Sequence, residues 1–233
     1  MDKQFWISIK ENNYTLPEGH SIQPLTDELF SYLGSTDPEL RDTLGLEIFY
    51  NWLIQGQYSL DELRGLIQRL LANLQIDIGA IGNDSVFLRS FSALWLSNIL
   101  AYDQDKETPE FGKEDIAPIL EAALAHFTAE RDIRGYVPVK GYAHAMAHSA
   151  DLLGALAASP HTDASDHLRI LDCIANKLRD GSLGIYLYNE DGRIARPVIG
   201  IFKRNLLNLE QIEAWSKALC SDWNGAWQDE ART

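Results

Sequence analysis

The chain has 233 residues, 45% of them hydrophobic, and 34 acidic side chains against 20 basic ones give a formal net charge of −14. That is enough apolar material for one substantial core, and no apolar run approaches the roughly 18 residues that cross a bilayer. A field of this sign repels phosphate backbones and anionic membrane surfaces, so neither nucleic acid nor membrane is expected as a partner.

The opening MDKQFWISIKENNYTLPEG shows no basic segment followed by an apolar one, and Cys173 and Cys220 are the only cysteines, with no CxxC spacing. Both features predict a cytoplasmic protein with reduced thiols. Residues 1–23 read as an irregular lead. Pro24-Leu25-Thr26-Asp27 then precedes a short helix, ELFSYLG, capped by Thr26 and stopped by Gly34. In TDPELRDTLGLEIFYNWLIQG, Asp37 is a cap and Pro38 a first helical residue. Leu40, Leu44, Ile48, Phe49 and Trp52 follow the helical period up to Gly56.

SLDELRGLIQRLLANLQ opens on Ser59 and Glu62, a capping box. GAIGND follows a helix rather than a strand, so it reads as a helix-ending turn and not a phosphate cradle. The next helix begins near Asp84 and carries Phe87, Phe91, Leu94, Trp95 and Leu100 on nearly all sides, which predicts deep burial. KEDIAPILEAALAHFTAERD is helical, with His126 placed where a cation suits a helix C-terminus. RGYVPVKG links it to a helix over 140–158. A further helix starts near Ser165 and ends before Gly181, with His161 and His167 reading as solvated at its entrance. Residues 184–204 are either a hairpin around Asp191-Gly192 or a helix from Asp191 to Arg204, and the helix is preferred. Its basic residues Arg193, Arg196, Lys203 and Arg204 read as a solvated face. Asn208 caps a final helix, and 224–233 reads as a frayed tail with Trp223 and Trp227 exposed near it.

The pattern is about nine helices with short turns, which predicts a single all-α domain over 1–233. Stacked helical hairpins in a right-handed α/α superhelix, a HEAT/armadillo-like solenoid, are its expected architecture.

One constellation carries chemistry. On a helix from Lys140, with His144 set at 0°, His148 falls at about 40° and Asp151 at about −20°. Tyr142, Met146, Leu153 and Leu156 face the other way, and Ala143, Ala147, Ala150 and Gly154 form a flank of small residues. Burial of the stripe requires a donor for Asp151, and His148 is a candidate. Arg131, Asp132 and Arg134, before Gly135, either fold over the stripe or pair among themselves. Three readings stay open. The first and preferred one is a polar seam that holds helices together. The second is a divalent-metal site on His144, His148 and Asp151. It lacks the zinc-protease glutamate, because position 145 is Ala. The third is a metal-free acid–base or ligand site with His144 or His148 titrating. Ser85, Ser90 and Ser92 lie outside any GxSxG elbow, so no hydrolase nucleophile is indicated.

Arg41-Asp42, Arg89-Ser90-Phe91-Ser92, and His144, His148 and Asp151 within RGYVPVKGYAHAMAHSADLL together resemble a bacterial family known as domain of unknown function 2785. Tyr142 stands where that pattern has Trp. The resemblance implies an all-helical fold and no established activity. The expected function is therefore a binding or scaffold module using a concave helical groove around His144, His148 and Asp151 for a protein or small-molecule ligand, with Asp132, Arg134, Tyr136 and Lys140 as ligand-binding candidates. The alternative is a metal-dependent or His-based hydrolase with His144, His148 and Asp151 in a pocket and Arg134 or Lys140 beside an anionic substrate group.

Overall fold

Helix begins earlier than the sequence predicts. In the computed structural model, which describes residues 1–180, 182 and 184–220, α1 (Lys3–Glu11) occupies most of the first half of the expected irregular lead. Asp2 caps it, accepting from Phe5 N at 2.9 Å, and Trp6 and Ile9, three apart, bury one face. Helix α2 (Ile22–Ser31) follows Ser21, so Thr26 is not its cap. Pro24 sits in its first turn, where a missing N–H costs nothing. Thr26 is buried inside the helix and hydrogen-bonds Tyr58 at 2.9 Å.

The next expected helix is divided. A π-helical segment (Glu39–Leu46) precedes α3 (Glu47–Ile54), and at the join Glu47 N donates to Asp42 O, five residues back. Helix α4 (Leu60–Asn73) has its capping box, with Ser59 N on Glu62 Oε2 at 2.8 Å. Helix α5 (Ser85–Gln104) is buried nearly all round. After α6 (Lys113–Ala129) comes a two-residue antiparallel ribbon, β1 (Tyr136–Val137) and β2 (Gly141–Tyr142). Then come α7 (Ala145–Ala158), α8 (Ala164–Arg179), α9 (Glu190–Arg204) and α10 (Leu209–Cys220). The helical alternative for 184–204 is the one observed. Asn208 caps α10, accepting from Gln211 N at 2.9 Å. Trp223, Trp227 and the tail 224–233 lie outside the described residues.

Alternate helices pack side by side. Helices α5, α7 and α9 form one parallel layer. Ser90 of α5 meets His148 near the start of α7, and Gln104 reaches Ala155 O further along at 3.0 Å. Likewise Arg193 of α9 holds Asp151 of α7, and Arg204 holds Ala157 O. Helices α6 and α8 run the other way in a second layer, joined by Arg169 to Glu121 at 2.6 Å and Lys177 to Thr128 O at 2.8 Å. One continuous hydrophobic cluster extends from Trp6 to Trp215, with Phe49 stacked on Trp95 at 3.7 Å. Among the described residues no helix is long and apolar enough to cross a membrane.

Helix α7 is the hub, buried over most of its length. Its small residues let its neighbours close in: a β-carbon on Gly154 would stand 4.0 Å from Pro197 of α9.

Candidate functional site

The helix expected over 140–158 starts at Ala145. Residues 140–144 leave the helical path because their backbone is held by a distant side chain. Arg41, buried in the π segment, donates to Lys140 O at 2.9 Å and Tyr142 O at 3.3 Å, with its guanidinium over Phe87 and Phe91. Gly141 turns with φ +77°, and a β-carbon there would stand 2.9 Å from Pro38. Ala143 N and His144 N extend the ribbon onto Gly135 O and Arg134 O. His144 itself takes a left-handed φ of +50° at the N-cap of α7. The angle assigned to it on a helical wheel therefore does not apply, and Tyr142, expected on the far side, stacks on it at 4.3 Å.

His144 and His148 remain neighbours, with ring centroids 5.8 Å apart and near-perpendicular planes. His148 is buried against Phe91 and lies 2.8 Å from Ser90 Oγ through Nδ1. Ser90 Oγ also meets the Ala143 carbonyl, which only accepts, so the serine proton goes there. His148 therefore carries its proton on Nδ1. Burial, then the nearby His144, Arg193 and Arg41, push its pKa well below the ordinary histidine value. Burial lowers His144 too, opposed by Glu190 and assisted by Arg193. Burial thus favours the neutral form of both rings.

Asp151 does not take its donor from His148. Arg193 binds it bidentately, Nε on Oδ1 at 2.7 Å and a terminal nitrogen on Oδ2. With both oxygens engaged there, the carboxylate is not directed at the imidazoles. Among the described residues no three or more His, Cys, Asp or Glu side chains form a group able to hold a metal ion. Asp151 instead lines a groove of about 500 Å³ between α5, α7 and α9, with Asn98, Gln104, Gly154, Arg193 and Arg196; neither histidine reaches it.

The four expected ligand-binding residues divide. Asp132 and Arg134 pair with each other at 2.7 Å, and they fasten the preceding turn through Gly82 N and Asn83 O. Lys140 is spent on Asp84 at 2.7 Å. Tyr136 is half-exposed and packs edgewise on Tyr142 at 5.2 Å.

Several residues were hidden from sequence reasoning. Arg193 and Arg204, read as a solvated face, are structural donors. Arg204 reaches Ala157 O, Ser159 O and Thr162 at the end of α7. Arg89 and Glu130, both fully buried, form a bidentate pair at 2.6 and 3.1 Å. His167, read as solvated, is buried on Ala157 O at 3.1 Å. His126 is buried on Leu74 O, and burial takes its pKa down to about 4, so it is no helix-end cation. Glu190 approaches His144 at 3.8 Å with no sequence signal to announce it.

A family model described as Protein of unknown function (DUF2785) matches residues 74–233. That span contains Arg89, Ser90, His144, His148, Asp151, Glu190 and Arg193. No curated protein and no solved structure matches the chain.

Proposed function

The chain belongs to the DUF2785 family, a description that carries no activity, and from that premise we propose that it is a binding module for a small anionic ligand. The observation that carries this reading is the state of Arg196. It lies in the groove between α5, α7 and α9, its side chain is 65% exposed, and its nearest carboxylate, Asp151, is 3.9 Å away and already held by Arg193. A guanidinium with unspent donors on the wall of a groove favours a carboxylate or phosphate ester. Asn98 and Gln104 supply further polar contact.

The alternation of parallel helix layers supports stacked hairpins in a superhelix, and a main hydrophobic cluster running from Trp6 to Trp215 supports a single domain. Two free cysteines suit a reducing cytoplasmic compartment. The hydrolase alternative has the Ser90–His148 contact in its favour. Against it, Ser90 is fully buried and its proton is committed to a main-chain carbonyl.

Calorimetric titration with succinate and with glycerol phosphate tests the reading. Binding that weakens by about tenfold or more in R196A, with the melting temperature unchanged, supports it. No binding, or equal binding by R196A, overturns it. Metal analysis covers the alternative: stoichiometric metal present in the wild type and lost in H148A would favour a metal-dependent hydrolase.

A further inference from the structure

At the ribbon end of α7 and α9, two buried polar atoms face one another and neither has a hydrogen-bond partner among the described residues. Glu190 is 1% exposed. Its Oε2 accepts from Tyr188 N at 2.7 Å, while Oε1 has no hydrogen-bond partner among the described residues. His144 Nε2 lies 3.8 Å from that Oε1 and is also unpartnered. Burial favours the neutral ring, and with its proton on Nδ1 the imidazole presents the Nε2 lone pair to that oxygen. A separation of this size is too long for a hydrogen bond, and an unpaired buried carboxylate oxygen is costly. The basic side chains at this end of the layer are committed elsewhere: Arg193 to Asp151, Lys140 to Asp84, Arg134 to Asp132 and Arg41 to the ribbon carbonyls.

The pair adjoins an aromatic cluster. Tyr136, Tyr142 and Tyr188 are each nearly half-exposed. Tyr142 stacks on His144, and Tyr136 and Tyr188 meet it edgewise at 5.2 and 6.2 Å. Gly135 is required here, because a β-carbon would stand 2.1 Å from the Tyr188 ring and 2.7 Å from Glu190 Oε1. The ribbon backbone is thus pressed against the ring and carboxylate that make up the site.

We propose that His144, Glu190 and the Tyr136–Tyr142–Tyr188 cluster form a binding site for a primary ammonium group. Its N–H donors satisfy Glu190 Oε1 and His144 Nε2 together, and its carbon chain and charge lie against electron-rich ring faces. A carboxylate is repelled by Glu190, and a quaternary ammonium has no N–H for the two acceptors. The residues are not those of the anion groove, so this site stands or fails separately.

The test is titration of the full chain with methylammonium chloride and with tetramethylammonium chloride at matched ionic strength, followed by NMR and calorimetry. Saturable methylammonium binding, about tenfold tighter than tetramethylammonium and lost in E190Q, supports the site. Tyr142→Leu, which removes an exposed ring and leaves the buried pair intact, is the second variant. A loss of affinity there supports the site even if E190Q does not fold. Ethanolamine against Nα-acetyl-lysine amide separates a small amine from a lysine side chain as the source, and tighter binding of either supports the ammonium assignment. No saturable methylammonium binding, equal affinity for the quaternary ion, or unchanged binding by both variants overturns it.

Discussion

Ser90 Oγ stands between two partners, the Ala143 carbonyl at the end of the ribbon and Nδ1 of His148 at 2.8 Å. One hydroxyl therefore joins α5 to both the ribbon and α7. Ser90→Ala strands a buried N–H and a buried carbonyl, and we expect a loss of about 1–3 kcal/mol in urea unfolding. Anion binding in the groove should be unchanged, because Ser90 does not line it. Lost binding in a variant that remains folded would mean that the hydroxyl acts on the ligand.

Stability should fall with acid in a way traceable to His126. Its folded pKa is about 4 against an ordinary 6.5. The folded state binds the proton less readily than the unfolded chain, so the contribution is complete above about 6.5 and is lost as pH drops towards about 4, on the order of 3 kcal/mol. Buried His148, shifted in the same direction, adds to the trend. Unfolding free energies measured across this window for wild type and His126→Gln should converge as pH falls. Parallel curves would refute the assignment.

The Arg89–Glu130 pair is buried on both sides and also carries main-chain contacts, Arg89 to Ile76 O and Asp77 O, and Glu130 to Arg131 N and Asp132 N. Glu130→Gln leaves a buried guanidinium without its counter-charge and should cost about 3–5 kcal/mol. The double replacement R89M/E130L should cost less than the sum of the two single changes, as chemical denaturation can show.

Gly141→Ala combines a left-handed φ with contact on Pro38. We expect a loss of about 1–2 kcal/mol or more. Because the ribbon carries Tyr142, methylammonium affinity should fall in parallel, read by the same titration.

Several local signals were legible in the sequence. Ser59 with Glu62, the near-continuous apolar circumference of α5 and the Asn208 cap each depend on residues within a turn or two of one another. The start of α7 did not, because AHAMAHSA favours helix by composition. What breaks that helix is Arg41, 99 positions away in the chain. The partner of Asp151 was equally remote, 42 positions on, inside a basic stretch that reads as solvent-facing. Helix α1 escaped notice because only Trp6 and Ile9 of its nine residues are buried. The two histidines and the carboxylate lie close along the chain, yet their working partners, Glu190, Ser90 and Arg193, are contributed by other helices.

Parallel packing of α5, α7 and α9, opposed by α6 and α8, sets the amide-rich ends of one layer beside the carbonyl-rich ends of the other. Each terminus carries about half an elementary charge of opposite sign, so this rim of the molecule is electrically two-toned whatever its net charge. The side chains offset the tones. Asp84, Glu190 and Asp191 stand at the amide-rich ends, and Lys177 and Arg179 occupy the last turn of α8. The rim's two tones are thus partly neutralised by the chain's own side chains at both kinds of helix end.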